Sequence, residues 1–252
     1  MMNKVSATLA AAGGLLMLAG CGSVVRVDEV TADKMGYLNK KFPASSLSQA
    51  ITAKLPATGN GELGFRQLVI KFDGSDEDST GKKESWQRTI TYVNQGNGLT
   101  QQISEGSSNG IAFGLDYTLS YRGLFGFKWQ TVPLRGTLTS MIYEVKEVSR
   151  LDPIPAVAGQ SFEFAYTSGT EQQIAGYHAS KRECKTTGSR PASDIYAKLS
   201  GQALTFDCDT ISNNTVQSRS KWALLPGYGI AVILESTTSA RKAVFRVVDI
   251  QG

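Results

Sequence analysis

A chain of 252 residues, 41% hydrophobic and 19% charged, has the apolar content to fold and lacks the charge excess of a disordered chain. Its formal charge of +4 is scattered, and the densest basic stretch, Lys181-Arg182 with Lys185, reads as solvated surface, which argues against a nucleic-acid partner. The 26 glycines against 7 prolines point to many turns, and a single histidine, His178, sharply restricts acid–base and metal chemistry.

The chain opens with the weakly positive Met1-Met2-Asn3-Lys4, followed by apolar and small residues from Val5 to Gly20, broken only by Ser6 and Thr8. That run falls short of the ~20 apolar residues of a membrane-spanning helix and lies at the N-terminus, the layout of a secretory signal over residues 1–20. It ends in Leu18-Ala19-Gly20-Cys21, which resembles the lipobox of bacterial lipoproteins. The resemblance implies cleavage before Cys21, a thioether-linked diacylglycerol on its sulfur and acylation of the new amino group. Two or three acyl chains make membrane attachment effectively stable. Lys4 is the one charged side chain ahead of Cys21, so the processed chain carries +3. The residue after the cysteine is Gly22 rather than the Asp that resembles an inner-membrane retention signal, which favours the outer membrane. The implied address is the cell envelope, with the membrane as partner through the lipid on Cys21.

Residues 21–44 read as the lipidated cysteine and a tether, with a strand beginning at Ser23–Asp28. Ser45–Leu55 has the pattern of a short helix: Ser45 or Ser46 caps it, Leu47, Ile51 and Leu55 recur at helical spacing, and Pro56 stops it. The clearest periodicity follows. Ile111, Phe113, Leu115, Tyr117, Leu119 and Tyr121 alternate with small or polar residues, the period of a strand with one buried face. After Arg122-Gly123 comes Phe125, Phe127 and Trp129 in the same alternation, predicting a long hairpin. Further strands are expected at Phe65–Phe72, Trp86–Val93, Leu138–Val148, Phe162–Tyr166, Gln172–Ser180, Leu204–Cys208, Lys221–Leu225, Ile230–Glu235 and Ala243–Ile250, with a second short helix at Ser193–Leu199 closed by Gly201. Many short strands without long helical periods between them predict a mainly β fold: an antiparallel β-sandwich or barrel-like domain, or two, with one or two short helices. Leu151-Asp152-Pro153-Ile154-Pro155 either divides an N-terminal β region (45–150) from a C-terminal one (156–252) or forms a loop within one domain. An outer-membrane barrel also alternates in this way, but most of these strands are short and uneven, and a lipid anchor is redundant on a spanning barrel.

With Cys21 lipidated, Cys184 and Cys208 remain, and in an oxidising compartment they pair most simply with each other. Neither belongs to a C-x-x-C pair, which disfavours a metal site. His178 lies in a strand-like stretch with no G-x-S-x-G elbow to supply a nucleophile, so it reads as a sheet or surface histidine. Asp73, Asp76, Glu77 and Asp78 suggest calcium. Aligned from Asp76 to an EF-hand loop, however, the bidentate position falls on Gln87, and a solvated loop is the expected reading. Thr80-Gly81-Lys82-Lys83 lacks the preceding glycine and the hydroxyl of a phosphate-binding loop. Tyr117, Tyr121, Phe127 and Trp129 read as core rather than as a sugar- or peptide-binding surface. No catalytic residue, metal or cofactor is therefore assigned. The function expected is a non-catalytic envelope module that binds another protein or cell-wall material. The alternatives are a hydrolase of envelope polymers, whose carboxylates would leave no local signature, and a structural accessory of a secretion or surface assembly.

Overall fold

A computed structural model describes residues 24–56 and 62–252; residues 1–20, where a signal is expected, and Cys21 lie outside the described residues. Twelve strands form the body: β1 (Gln67–Asp78), β2 (Lys83–Gly96), β3 (Leu99–Ser108), β4 (Ile111–Tyr121), β5 (Phe125–Pro133), β6 (Tyr143–Leu151), β7 (Ser161–Thr170), β8 (His178–Pro191), β9 (Gln202–Ser212), β10 (Thr215–Leu225), β11 (Ile230–Thr238) and β12 (Arg241–Gln251). Each pairs antiparallel with its neighbours in sequence, and β1 pairs with β12 from Val69↔Gln251 to Asp78↔Arg241, closing the sheet into an up-and-down barrel. Of the two expected architectures it is the barrel that forms, with every strand paired on both sides and the thinnest seam between β5 and β6. The Leu151–Pro155 segment joins β6 to β7, which are adjacent strands of that one sheet.

The turns explain the topology. The predicted hairpin is β4–β5, with Arg122 and Gly123 both at positive φ (51° and 71°). Asn97-Gly98 and Asn109-Gly110 also take positive φ throughout (51° and 75°; 51° and 73°), the backbone that a two-residue reversal between right-twisted strands requires. They bracket β3, which the sequence reading missed.

One face of the sheet can be followed strand to strand by register. On it lie Phe72 and Arg88, Ile90 and Ser104, Thr118 and Trp129, Phe164 and Arg182, Cys184 and Cys208, and Phe206 and Trp222. The opposite face carries Glu163, Glu183, Asp209 and Arg219, each registered against the next, so the first face is the interior. A charged outer wall of this kind is not the apolar band a bilayer-spanning barrel presents to lipid.

The outer wall over β3–β5 is the exception, being apolar and covered. The expected tether and strand are replaced there by two short helices, α1 (Val27–Ala32) and α2 (Lys34–Lys41); residue 26 makes only an isolated bridge, to Leu138. Val30, Leu38 and Phe42 are fully buried against Ile103, Leu115, Tyr117, Leu119 and Val132. Asp33 caps α2 by accepting from the Gly36 N–H at 2.8 Å. The helix expected over Ser45–Leu55 is reduced to α3 (Gln49–Thr52), capped by Ser48 instead, behind a 3₁₀ turn at Ala44–Ser46. The inferred helical stripe nevertheless holds, since Leu47, Ile51 and Leu55 all pack into the main core. The second expected helix is likewise shorter, a 3₁₀ turn at Ala192–Asp194. The strand expected at Leu138–Val148 starts only at Tyr143, and that at Gln172–Ser180 only at His178.

Beneath α2 the Lys128 ammonium, 6% exposed, donates to Glu171 Oε1 at 2.8 Å and lies 5.8 Å from the Phe42 ring centroid. Removing a buried partner strands the other charge. Because Glu171 and Glu144 keep some solvent, Lys128→Ala is expected to cost about 2 kcal/mol in denaturant unfolding. A change under 0.5 kcal/mol, within the usual range of surface substitutions, would contradict the packing described.

Candidate functional site

The interior is graded along its axis. At the end where β5 and β7 begin and Phe162 registers against Cys184, the rings of Phe125, Phe162, Phe164 and Phe206 are packed to exclusion of solvent, with centroids 5.0–6.1 Å apart. The disulfide Cys184–Cys208 lies in this layer, joining directly opposed residues of β8 and β9 with both sulfurs buried. Towards the other end the inward side chains become only partly buried: Trp86, Arg88, Ile90, Trp129, Tyr166, Arg182 and Trp222 all retain solvent contact. Solvent therefore reaches the inner face towards this end of the barrel.

The chain's three tryptophans all stand on this inner face. An added Cβ at Gly74, opposite Trp86, would lie 2.1 Å from the indole Cη2, so the ring depends on glycine there. Trp86 also meets Phe245 edge-on at 5.0 Å. Trp222 is oriented by its indole N–H, which donates to Ser220 Oγ at 2.7 Å. Trp129 stacks on Tyr143 at 5.9 Å, across a seam where β5 and β6 share only two registered pairs.

Two arginines share the face. The Arg88 guanidinium lies 5.4 Å from the Trp86 centroid and that of Arg182 lies 5.7 Å from Trp222. Arg182 donates from Nη1 to Leu124 O, in the β4–β5 turn, and from Nε to Thr210 Oγ1 at 3.4 Å. Burial pushes its pKa below the usual arginine range, partly offset by Tyr166. Burial raises the Tyr92 and Tyr166 hydroxyls, against the opposing pull of Arg88 and Arg182 respectively. Among the described residues neither arginine has an ion pair. Arg88 Nε and, two residues along the same wall on β3, Ser104 Oγ are enclosed without a hydrogen-bond partner.

This arrangement overturns one sequence reading: Arg182 is not part of a solvated basic surface but turns inward, while Lys181 pairs outside with Glu183. The acidic cluster is not a loop either. Asp73, Asp76 and Glu77 belong to β1 and face cations across the seam and the turn, Arg246 at 2.9 Å, Arg241 at 2.8 Å and Lys83 at 3.4 Å. Asp78 accepts from the Thr80 hydroxyl at 2.6 Å and from the Thr80 and Lys82 backbone N–H groups at 2.8 and 3.0 Å, and these bonds, the hydroxyl's first, hold its carboxyl below the usual range. His178 is exposed at the first position of β8. Tyr117, Tyr121 and Phe127 are core, as expected, whereas Trp129 keeps partial access to the interior.

Fold and site together define a closed antiparallel barrel whose inner face carries partly exposed arginines and tryptophans. No family model matches the chain, and no curated protein matches it. Among solved structures it is similar to a beta-barrel-like protein, a domain of unknown function DUF1849 from Brucella abortus. That likeness has a TM-score of 0.42 at 7% identity and covers 75% of this chain and 99% of that one. So distant a likeness carries no functional argument.

Proposed function

We propose that the protein is a cell-envelope lipoprotein, anchored by lipid on Cys21, whose barrel serves as a non-catalytic binding module. The Leu18-Ala19-Gly20-Cys21 sequence supports the anchor, and Gly22 favours the outer membrane. The Cys184–Cys208 bond supports a thiol-oxidising compartment, since such bonds are rare where thiols are kept reduced. The observation that carries the binding role is the solvent-reached part of the inner face, where rings and guanidinium groups stand together. Asp76 and Glu84, registered against each other on that face, are tied to Arg241 at 2.8 Å and Lys82 at 2.6 Å rather than left free as the carboxylate pair of a glycan hydrolase. Rings and cations suit retention of a ligand instead.

The anchor is tested by growing cells expressing Cys21→Ala with labelled palmitate. The variant is expected to lose the label and to leave the membrane fraction, while wild type keeps both. A labelled, membrane-bound variant would defeat the proposal.

A further inference from the structure

We infer that the solvent-reached part of the inner face binds an organic anion, its carboxylate or phosphate group taken by Arg88 and Arg182 and its apolar body held against Trp86, Trp129 and Trp222. This rests on the binding role proposed above and names the ligand's chemistry.

Four observations converge on it. β2 and β8 stand six strands apart in either direction around a twelve-strand ring, so the two arginines come from opposite walls of one interior. Each is held over an indole face, which fixes the guanidinium plane while leaving its N–H edges available. A guanidinium has five N–H donors in a planar fork. The Arg182 side chain uses two of its nitrogens on Leu124 O and Thr210 Oγ1, and the Arg88 side chain has no hydrogen bond among the described residues. Buried charges in proteins are ordinarily matched by an opposite charge. Here the carboxylates that register brings to the same face pair with neither arginine: Asp116 accepts from Thr131 Oγ1 at 2.8 Å, Asp76 pairs with Arg241 at 2.8 Å and Glu84 with Lys82 at 2.6 Å. Ser104 Oγ, registered across from Asp116, is a further enclosed hydroxyl without a partner on the same wall as Arg88. A carboxylate or phosphate meets these donors in the bidentate geometry that guanidinium favours. The surrounding tryptophans, with Ile90 and Phe245, give an apolar body its contacts.

The tryptophans also report the answer, since all three line the site. Full-length protein in phosphatidylcholine vesicles is titrated with octyl phosphate, octanoate, octanol and inorganic phosphate while tryptophan emission is followed. Octyl phosphate and octanoate are expected to give saturable changes, with Arg88→Gln and Arg182→Gln each weakening binding at least tenfold. Arg88→Gln keeps the result readable if Arg182→Gln fails to fold, because Arg88 makes no hydrogen bond to lose. A preference between the two anions distinguishes a phosphate ligand from a carboxylate one. Octanol binding as tightly as octyl phosphate would overturn the anion assignment while leaving a binding barrel. Inorganic phosphate binding as tightly would remove the apolar body. Unchanged affinity in folded Arg88→Gln would overturn the role of that arginine. No saturable change with any of the four would sink both the anion inference and the binding role.

Discussion

Phe164→Ala is expected to destabilise the barrel by about 3–5 kcal/mol, the range for truncating a fully buried phenylalanine. Phe164 contacts Phe125 at 5.0 Å, Phe127 at 5.5 Å and Tyr166 at 4.5 Å, and is only 2% exposed. It therefore ties β5 to β7 across the interior, at the level where the barrel is filled. The neighbours are large, held on paired strands and cannot collapse into the space left, so the cavity term adds to the lost burial. Urea unfolding of the variant and wild type measures the difference. A loss below 1 kcal/mol would mean that this layer is not packed as described. Tyr166→Ala, at the boundary with the solvent-reached part of the inner face, is expected to cost less, because part of its surface already meets solvent.

Removing the disulfide is expected to have the next largest effect. Cys184 and Cys208 are 24 residues apart, and closing a loop of that size restricts the unfolded chain by about 3 kcal/mol on the chain-entropy account. For a chain of this size, 1 kcal/mol corresponds to roughly 2–4 °C in Tm, so the Cys184→Ala, Cys208→Ala double variant should melt about 6–12 °C lower. The bonded residues already face each other in the β8–β9 ladder, so the native backbone should stay unchanged. Scanning calorimetry with a circular-dichroism check separates the two parts of this expectation. An unchanged Tm would show that the pair contributes nothing to stability.

How much of this was legible depended on which physical signal each segment carried. β4 announced itself because its outward residues Leu115, Tyr117 and Leu119 are buried under helices while the alternate positions are polar. β3 shows no such contrast. Its inner Thr100, Gln102 and Ser104 are polar, and its outer row includes Gln101, which is buried and donates to Phe42 O at 3.1 Å. Hydrophobic alternation vanishes when a polar side chain is buried by hydrogen bonding, and the Asn97-Gly98 and Asn109-Gly110 turns were the signal that remained. The helices α1 and α2 are too short to repeat a helical stripe; Val27 with Val30, and Leu38 with Phe42, are each one turn's worth of pattern.

The candidate site was hidden for a related reason, because charge was equated with surface. Yet Arg182 stands two residues before Cys184, on the face that a buried disulfide marks as inward. Arg88 likewise interrupts an apolar row of period two, Trp86, Ile90 and Tyr92. Parity outranks residue type once one member of a row is known to be buried. Opposition of the two arginines across the barrel was beyond the sequence, since it depends on closure of β1 against β12.

Anchor, compartment and bridge all depend on where processing leaves the N-terminus, and intact-mass analysis of protein extracted from the membrane fraction reads that in one spectrum. The expected species begins at Cys21, carries diacylglycerol and the amino-linked acyl chain, and takes up no alkylating reagent until it is reduced. A mass matching all 252 residues, unacylated and with reactive thiols, would contradict it.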